Sequence, residues 1–458
     1  MANPGATHFV GIGGVGMSGL AAILLAKGEP VSGSDLRDSA TLARLREAGA
    51  VVHVGHDATN IQGARRVVYT TAIPSSNPEI QAANDAGLPL LHRAELLEEL
   101  TAPYDSVAVT GTHGKTTTTA LVALMFRNAG LDPTVLVGGM VDQLGGNAAL
   151  GKGNYAVYEA CESDNSFFRL HPNSVIVTNI DSDHLDNHLS VDNLIWSLRQ
   201  FVDSGGPKGV VFLSTDCAHS ERLRRMLARP VLTFGSSPQA LYRADIEGAR
   251  DGRWWFTAYR GDSLLGRVGM LLPGRHNAVN ASSAIGVALE YGLPWQGIRE
   301  TLESFAGVRR RFEIVGQKDG VLVMDDYAHH PTEIAALLRA AREGWRCRLV
   351  VVFQPHLFSR TVLLQQEFGL CFQLADELFV TDIYPAREAP IPGVDGSVIT
   401  EAVKRYSPNG ANVHYIADKA ALGPYLRRHL RLGDMLLTVG AGDVRSVAEE
   451  FLAGNAAK

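Results

Sequence analysis

Residues 106–119 read Ser-Val-Ala-Val-Thr-Gly-Thr-His-Gly-Lys-Thr-Thr-Thr-Thr, an apolar run that leads through a glycine loop into Lys-Thr. We expect residues 106–110 to form a buried strand and residues 117–128, which carry one apolar face, to form a helix. A strand, a glycine loop and a helix in this order frame a phosphate-binding loop, whose backbone N–H groups cradle phosphate oxygens. The sequence therefore predicts a nucleotide site built on one strand of a parallel sheet.

Two side chains of this loop have predicted roles. Lys115 would neutralise the β- and γ-phosphates, and the Thr116 hydroxyl would bind Mg²⁺. Val109 stands where the common G-x-x-x-x-G-K-[ST] pattern has its first glycine, so the loop departs from the usual spacing. We predict that ATP is bound by Gly111, Thr112, His113, Gly114, Lys115, Thr116 and Thr117.

Mg²⁺ held with a triphosphate needs further ligands, and two acidic segments downstream can supply them. Residues 159–164 read Glu-Ala-Cys-Glu-Ser-Asp, and we select Glu162 as the ligand. Residues 181–186 read Asp-Ser-Asp-His-Leu-Asp after the predicted strand 175–180, which puts His184 at the carboxyl end of a strand. Each segment alone is typical of a solvated turn, and the phosphate loop favours a metal site. The predicted metal ligands are Thr116, Glu162 and His184.

A second glycine loop lies near the amino end of the chain. Residues 11–16 read Gly-Ile-Gly-Gly-Val-Gly between a short apolar run, 8–10, and a helix-like stretch, 20–26. The glycines let backbone N–H groups approach a diphosphate at the start of the helix. Asp35 ends the next predicted strand, where a dinucleotide site places its ribose-binding acid. The pattern predicts diphosphate binding, and it leaves open a nicotinamide, another nucleotide, or glycines that serve only helix–strand packing.

Composition and charge exclude several classes of partner. A net charge of -6 without a dense basic block disfavours nucleic acid and anionic membrane surfaces as partners. No apolar run approaches a membrane span, and the start Met-Ala-Asn-Pro-Gly lacks the features of a signal peptide. Four widely spaced cysteines favour reduced thiols. We expect a cytoplasmic protein with neither nucleic acid nor membrane insertion, and the sequence leaves monomer and dimer open.

Strand-like and helix-like stretches alternate along the chain, which is typical of parallel sheets covered by helices. Natural breaks lie near residues 101–103 and 309–311. We predict an α/β protein with three domains. These are an N-terminal Rossmann-like domain, residues 1–102; a central domain of the P-loop ATPase type with a mostly parallel sheet, residues 103–311; and a C-terminal Rossmann-like domain, residues 312–458.

Taken together, the ordered motifs resemble the Mur ligases, the ATP-dependent amino-acid ligases of peptidoglycan synthesis. The resemblance rests on GTHGKTTTT at 111–119, ESD at 162–164, TNIxxDHxD at 178–186, GRHNAVNA at 274–281 and RRFE at 310–313. Three further segments are similar to the family member that adds L-alanine, namely GIGGVGMSG at 11–19, DDYAHHPTE at 325–333 and FQPHLFSRT at 353–361. The member that recycles a murein tripeptide typically has a different N-terminal loop.

This resemblance implies a ligase that uses ATP and Mg²⁺ to join L-alanine to the carboxylate of UDP-N-acetylmuramate through an acyl phosphate. The N-terminal domain would bind the UDP-sugar, the central domain ATP, and the C-terminal domain the amino acid, in the bacterial cytoplasm. Three other interpretations stand beside it. These are a ligase for a recycled tripeptide, an NAD(P)-dependent oxidoreductase built on residues 11–35, and a nucleotide switch.

The resemblance also implies roles for individual residues. The UDP-sugar would be bound by Gly11, Gly13, Gly14, Gly16, Met17, Ser18, Asp35 and His56. The adenine would lie near His276, Asn277 and Asn280, although spacing alone favours a helix cap for the two asparagines. Arg311 and Asp326 would reach ATP from the C-terminal domain, and alanine would be bound by Tyr327, His329, His356 and Arg360. The implied catalytic residues are Lys115, Glu162, His184, Arg311, His329 and Arg360.

The sequence departs from the family pattern at two places. Cys161 stands where related chains commonly have Asp, which puts a carboxylate beside Glu162 in doubt. Several sister ligases use a carbamylated lysine after the DHxD segment, but residues 184–207 contain no lysine. The sequence therefore predicts no carbamate in this site.

Overall fold

The computed structural model describes residues 5–162, 165–181, 190–206, 209–386, 388–407 and 412–454. The chain forms two compact units. The first comprises Met1–Asp245, Thr257–Val268 and Val279–Phe305, and the second comprises Ile246–Phe256, Gly269–Ala278 and Ala306–Lys458. Three β-sheets organise the described residues.

The first sheet carries the N-terminal glycine loop. Its five strands are parallel and run in the order β3-β2-β1-β4-β5. Strand β1 is buried along its length, as an apolar strand covered on both faces should be. The strands are β1 (Ala6–Val10), β2 (Val31–Asp35), β3 (Val51–Val54), β4 (Ala64–Tyr69) and β5 (Leu90–His92). The α-helices around them are α1 (Val15–Ala26), α2 (Ala40–Glu47), α3 (Pro78–Asp85) and α4 (Arg93–Thr101), with a 3-10 turn at Ala58–Ile61.

The second sheet carries the phosphate loop on an inner strand. Its ten strands run in the order β15-β14-β13-β12-β11-β10-β6-β9-β7-β8, and β6 lies parallel to both of its neighbours. The strands are β6 (Asp105–Thr110), β7 (Thr134–Val141), β8 (Gly146–Ala149), β9 (Tyr155–Glu159), β10 (Ser174–Val177), β11 (Val211–Ser214), β12 (Val231–Gly235), β13 (Tyr242–Arg250), β14 (Arg253–Arg260) and β15 (Ser263–Met270). The α-helices are α5 (Lys115–Asn128), α6 (Val191–Asp203), α7 (Ala218–Met226), α8 (Arg275–Glu290) and α9 (Trp295–Ser304), with 3-10 turns at Asp142–Leu144 and Ser166–Arg169.

The third sheet lies in the second compact unit. Its order is β16-β17-β21-β18-β19-β20, and only the pair β16 and β17 is antiparallel. The strands are β16 (Glu313–Lys318), β17 (Val321–Asp326), β18 (Leu349–Phe353), β19 (Glu377–Val380), β20 (Val413–Tyr415) and β21 (Met435–Val439). The α-helices are α10 (Pro331–Gly344), α11 (Phe358–Leu363), α12 (Gln365–Cys371), α13 (Ser397–Tyr406), α14 (Leu422–His429) and α15 (Arg445–Ala453), with a 3-10 turn at Lys419–Ala421.

The predicted α/β class with mostly parallel sheets is confirmed. One predicted strand is shorter than expected, since β10 ends at Val177 instead of continuing to residue 180. Residues 178–181 leave the sheet because their polar groups bind the phosphate loop. Searching the described part of the chain for bilayer-spanning helices finds none with the required length and apolarity.

Candidate active site

The first glycine loop is fixed by the end of strand β2. The backbone N–H of Gly11 donates to the Ser34 carbonyl oxygen at 2.8 Å, and the N–H of Gly13 donates to Asp35 Oδ2 at 2.9 Å. A methyl group on Gly13 would lie only 2.8 Å from that carboxylate oxygen, so this position requires glycine. Asp35, which was predicted to meet a ribose, thus also holds the loop that begins helix α1.

The other predicted UDP-sugar residues of this loop divide into exposed and buried ones. Gly14 is exposed and precedes helix α1, where no side chain caps the helix start. Gly16 is half-buried in the first turn of the helix. Met17 and Ser18 are buried, and the Ser18 hydroxyl donates to the Val15 carbonyl oxygen at 3.1 Å. The structure therefore places Met17 and Ser18 in the packing of the helix, whereas Gly14 and Gly16 are at least partly accessible.

His56, the remaining predicted UDP-sugar residue, follows strand β3. Its Nδ1 atom lies 2.9 Å from Ser34 Oγ and 3.2 Å from a carboxylate oxygen of Glu79. Glu79 is fully buried on helix α3 and was missed by the sequence analysis, because no local motif marks it. The structure thus joins a predicted site residue to an unpredicted buried carboxylate.

The phosphate loop connects strand β6 to helix α5 as predicted. Gly114 adopts a left-handed φ of 79° immediately before the helix, which begins at Lys115, two residues earlier than the sequence suggested. A methyl group on Gly111 would lie 2.4 Å from Thr178 Oγ1, so the loop packs closely on residues that follow β10. The predicted ATP-binding residues 111–117 therefore form one continuous loop and helix start.

Lys115 is nearly buried at the centre of this loop. Its Nζ atom donates to the carbonyl oxygens of Gly111 and Thr112 at 2.6 and 3.0 Å, and lies 3.2 and 3.1 Å from the two carboxylate oxygens of Glu162. Burial alone would lower the pKa of Lys115, but the Glu162 charge, helped by Cys161 and Glu159, raises it above its ordinary value. The ammonium is therefore charged, and it is held by the carboxylate that the sequence assigned to the metal.

Residues that follow strand β10 form hydrogen bonds with the phosphate loop. The Thr178 hydroxyl donates to the His113 carbonyl oxygen at 2.6 Å, and the N–H of His113 donates to Asn179 Oδ1 at 2.9 Å. The N–H of Asp181 donates to Thr112 Oγ1 at 2.9 Å. Asn179 was not predicted as a site residue, although it lies within the TNI motif. These bonds set the loop conformation before any phosphate binds.

A second carboxylate, Glu159, lies beside Thr116. The Thr116 hydroxyl donates to Glu159 Oε2 at 2.9 Å, and the backbone N–H of Gly138 donates to the same oxygen at 3.0 Å. A methyl group on Gly138 would lie 2.4 Å from that oxygen. Glu159 ends strand β9, next to strand β6, so the sheet delivers it to the loop. The carboxylate within reach of Thr116 is thus Glu159, which sequence analysis passed over in favour of Glu162.

The predicted metal ligand His184 lies outside the described residues. Where side chains are described, no three of His, Cys, Asp or Glu come together as a metal-binding group. The hydroxyl of Thr116 and the carboxylate of Glu159 lie next to each other at the phosphate loop. Among the described residues, which include all four cysteines, no disulfide forms; Cys161, which lies between Glu159 and Glu162 in the sequence, is half-buried.

The two glycine loops belong to one compact unit and are linked by a short chain of contacts. A methyl group on Gly16 would lie 3.7 Å from Arg93 Nη1, and Arg93 Nη2 donates to Ser166 Oγ at 3.2 Å. The N–H of Asn165 donates to the Glu162 carbonyl oxygen at 3.2 Å, and Glu162 holds Lys115. Asn147, on strand β8, also donates to the Val15 carbonyl oxygen at 2.6 Å. Arg93 therefore connects the start of helix α1 to the segment that carries the Lys115 partner.

The predicted adenine residues lie around the start of helix α8. In the first compact unit, a methyl group on Gly114 would lie 2.7 Å from Asn280 Nδ2, so Asn280 packs against the phosphate loop. In the second unit, Asn277 Nδ2 donates to the Pro273 carbonyl oxygen at 2.7 Å, and His276 lies against Gly274. Asn280 thus lies against the phosphate loop, whereas the Asn277 amide stabilises the start of the helix.

Asp326, in the second unit, is a buried carboxylate, and the positive charge of Arg311 acts on it. Asp326 accepts hydrogen bonds from the N–H groups of Phe312 and Ala328 at 2.6 and 2.7 Å. Phe312 has a positive φ of 50°, an uncommon conformation for a bulky residue. Burial raises the pKa of Asp326 to about 6, although Arg311 and the two N–H groups oppose the shift. The carboxylate therefore holds the backbone just after the predicted domain break at residues 309–311.

The predicted alanine residues include a row of rings at the carboxyl edge of the third sheet. The ring centroids of Tyr327 and His329 are 5.5 Å apart, and those of His329 and His356 are 5.7 Å apart. His356 stacks on Tyr384 at 5.8 Å, and Tyr384 was not predicted. Arg360 is half-buried on helix α11, which follows His356 closely in sequence. The structure brings Tyr327, His329 and His356 together and adds one tyrosine to them.

Models of known protein families match nearly the whole chain. Residues 6–105 match the model described as Mur ligase family, catalytic domain. Residues 109–288 match the Mur ligase middle domain, and residues 310–442 match the Mur ligase, glutamate ligase domain. The three models follow one another in the order of the three sheets.

Individual relatives match over their full length. The chain is 45% identical to the UDP-N-acetylmuramate--L-alanine ligase of Solidesulfovibrio magneticus over 448 residues, which covers 97% of each chain. Among solved structures, it is similar to a UDP-N-acetylmuramate-alanine ligase from Thermotoga maritima, with a TM-score of 0.84, 31% identity and 98% of each chain covered. A murein peptide ligase from Psychrobacter arcticus shares the fold, with a TM-score of 0.74, 24% identity and 98% of each chain covered.

Proposed function

The chain belongs to the Mur ligase family, and from this premise we propose that it joins L-alanine to the carboxylate of UDP-N-acetylmuramate at the expense of ATP. The products are UDP-N-acetylmuramoyl-L-alanine, ADP and phosphate, in peptidoglycan synthesis. One observation supports this most strongly. Two glycine loops suited to anions lie in one compact unit, and Arg93, which lies near Gly16, donates to Ser166 in the segment that follows Glu162. A ligase needs this arrangement because the sugar carboxylate must meet the γ-phosphate.

We assign the sugar nucleotide to residues 1–102, ATP to residues 103–311 and the amino acid to residues 312–458. The glycine loop of residues 11–16 supports the first assignment, since a diphosphate is favoured at the start of helix α1. We propose that the enzyme acts in the bacterial cytoplasm, as the family resemblance implies. The partners in this proposal are small molecules alone.

Activation of the carboxylate is the first chemical step in this proposal. A carboxylate repels a nucleophile, so one of its oxygens attacks the γ-phosphorus of ATP, ADP leaves, and an acyl phosphate forms. Lys115 offsets the charge that develops on the transferring phosphoryl group. Glu162 keeps the ammonium in place at 3.1 Å, so we propose that it acts through Lys115 and not as a metal ligand.

Thr116 and Glu159 fit a hard divalent cation, because a hydroxyl and a carboxylate oxygen lie 2.9 Å apart at the phosphate loop. We assign Mg²⁺ to these two residues together with His184. When bound, Mg²⁺ supplies positive charge that stabilises the transferring phosphoryl group. The N–H of Gly138 orients the Glu159 carboxylate for this role.

Asn280 is the adenine-side residue that the structure supports best, because it lies against Gly114. His276 and Asn277 stay assigned to the base through their place at the start of helix α8. Arg311 and Asp326 are assigned to ATP from the C-terminal domain. The Asp326 carboxylate, which accepts hydrogen bonds from the N–H groups of Phe312 and Ala328, is the acceptor in this assignment.

Alanine attacks the acyl phosphate in the second chemical step. Its neutral amine bonds to the carbonyl carbon, phosphate leaves with the former carboxylate oxygen, and the amine loses a proton. We assign the alanine site to Tyr327, His329, His356 and Arg360, and add Tyr384 because it stacks on His356. The guanidinium of Arg360 suits the alanine carboxylate or the leaving phosphate.

Phosphate release tests the proposed function directly. The purified chain is given ATP, Mg²⁺ and UDP-N-acetylmuramate with L-alanine, with the murein tripeptide, or with neither. We expect release only with L-alanine, and formation of the alanyl product by mass. Release with the tripeptide alone would instead identify the recycling ligase, and reduction of NAD(P) without phosphate release would identify an oxidoreductase.

A further inference from the structure

A buried carboxylate organises the pocket beside the first glycine loop. Glu79 has no exposed side-chain surface. One of its oxygens, Oε2, accepts from Ser34 Oγ at 2.5 Å and lies 3.2 Å from His56 Nδ1. The other, Oε1, accepts from Asn60 Nδ2 at 2.6 Å and from the N–H of Asp57 at 3.4 Å. Glu79 thus ties the end of strand β2 to the loop that follows strand β3.

The ionisation of Glu79 follows from these contacts. Burial raises its pKa, but the nearby His8 ring and the hydrogen bonds from Ser34 and Asn60 outweigh burial and lower the pKa to about 2. His8 lies on the central strand, with Nε2 3.6 Å from Glu79 Oε2, while its Nδ1 contacts Ser32 Oγ at 2.9 Å. The carboxylate is therefore an acceptor only, and every group around it must offer a proton.

The hydrogen-bond partners of His56 determine which of its ring nitrogens carries the proton. Ser34 has one hydroxyl proton, which it donates to Glu79. Its oxygen can therefore only accept in its 2.9 Å contact with His56 Nδ1. The contact between Nδ1 and Glu79 also requires a proton on Nδ1. In the neutral imidazole, a proton on Nδ1 leaves Nε2 with a free lone pair, which makes Nε2 an acceptor.

The position of His56 suits the base of a nucleotide. The glycine loop follows β1, Asp35 ends β2, and His56 follows β3, and these three parallel strands are neighbours in the sheet. Ligands of such sheets lie along the carboxyl edge, with about 4.8 Å between strands. Diphosphate, ribose and base therefore fall in this order along β1, β2 and β3. The His56 side chain is 10% exposed, so part of its ring is accessible.

We propose that Glu79, through Ser34, is a positioning residue that holds His56 as the Nδ1–H tautomer, so that Nε2 accepts a hydrogen bond from the N3–H of uracil. This inference rests on the proposed sugar-nucleotide substrate and adds a source of base selection. Cytosine has an acceptor at N3, so the His56 lone pair would oppose a lone pair in a cytidine nucleotide. The pocket would then select uridine over cytidine by a fixed proton on the protein.

The first test measures the tautomer in the unliganded full chain. Nitrogen-15 NMR of labelled histidines at alkaline pH, where imidazole is neutral, distinguishes Nδ1–H from Nε2–H, and a His56→Gln variant identifies the signal. We expect the Nδ1–H form in the wild type and a mixed or Nε2–H form in Glu79→Gln. An Nε2–H ring in the wild type would overturn the inference. This measurement needs no turnover.

The second test measures base selection by calorimetry with UDP, CDP and N3-methyl-UDP. We expect the wild type to bind UDP about tenfold or more tightly than either analogue, and Glu79→Gln to reduce this ratio to about threefold or less. The double variant His56→Gln with Glu79→Gln should show the same affinity ratio as His56→Gln alone, because the imidazole ring that Glu79 positions is absent from both. A further loss of selectivity in the double variant, or equal binding of all three ligands by the wild type, would contradict the proposal.

Matched controls separate positioning from folding and from the proposed function. Glu47→Gln changes an exposed carboxylate of the same domain and should leave the UDP:CDP ratio as in the wild type. If Glu79→Gln does not fold, Ser34→Ala removes only the bridge and should lower the ratio partially. Uridine selection in a chain that releases no phosphate with L-alanine would refute the ligase and retain the inference. Ligation without the Nδ1–H tautomer would refute the inference alone.

Discussion

Replacing Glu162 by Gln should destabilise the first compact unit through the charge it leaves behind. Lys115 Nζ has four oxygen contacts between 2.6 and 3.2 Å, and the only formal negative charge among them belongs to Glu162. Removing one partner of a buried ion pair costs about 3–5 kcal/mol, because the other charge is left uncompensated. Glutamine keeps one acceptor oxygen, so we expect the lower end, about 3 kcal/mol.

Thermal unfolding followed by calorimetry measures this loss. At about 2–4 °C per kcal/mol, the transition of this unit should fall by roughly 6–12 °C. Asp192→Asn is the matched control, since its partner Arg222 and Asp192 itself are half-exposed or more. An exposed pair contributes about 0–1 kcal/mol, so the control should shift the transition by no more than about 4 °C.

A double variant tests the cause of the destabilisation. Glu162→Gln combined with Lys115→Met removes both charges and should recover most of the loss, with a coupling energy of about 2 kcal/mol or more. If Glu162→Gln shifted the transition no further than Asp192→Asn, the assigned role of Glu162 would be refuted. Additive effects of the two substitutions would refute it equally.

Three further predictions concern the buried Asp326 carboxylate, the Glu159 carboxylate beside Thr116, and Arg93. Because burial raises the folded-state pKa of Asp326 to about 6, its folded form binds more protons than the unfolded form between about pH 4 and 6. Stability of the second unit should therefore fall as pH rises through this window, and Asp326→Asn should flatten the dependence in pH-resolved calorimetry. Gly138→Ala should displace Glu159 and raise the half-saturating Mg²⁺ concentration for phosphate release about tenfold. Gly297→Ala is the control and should leave this concentration unchanged, because a methyl group at Gly297 would meet no neighbouring atom. Arg93→Ala should raise the KM for UDP-N-acetylmuramate about tenfold, and Arg93→Lys should have an intermediate effect. A KM of Arg93→Ala within twofold of the wild-type value would contradict the proposal that Arg93 connects the start of helix α1 to the segment after Glu162.

Local patterns of the sequence predicted both glycine loops well. Strand, loop and helix are consecutive in each case, so residues 11–16 and 111–117 could be assigned without knowing any long-range contact. The same holds for the α/β class, which follows from alternating apolar runs and helical stretches. Helix α5 begins two residues earlier than predicted because Lys115 and Thr116 belong both to the loop and to the helix.

The assignment of carboxylates could not be settled by sequence. Glu159 and Glu162 lie three residues apart, and only the end of strand β9 decides that Glu159 meets Thr116 while Glu162 meets Lys115. Contacts such as Arg93 with Ser166 join residues 73 positions apart, and no local motif encodes them. Glu79 was missed for the same reason, since its partners come from strand β2 and from the 3-10 turn that follows strand β3.

Transfer of a labelled oxygen tests the central chemical claim most directly. UDP-N-acetylmuramate labelled with oxygen-18 in its carboxylate is incubated with the chain, ATP, Mg²⁺ and L-alanine, and the released phosphate is weighed by mass spectrometry. A carboxylate that attacks the γ-phosphorus must give one labelled oxygen to phosphate, and Lys115→Ala should release none. Phosphate without the label, formed together with alanyl product, would contradict an acyl-phosphate ligase.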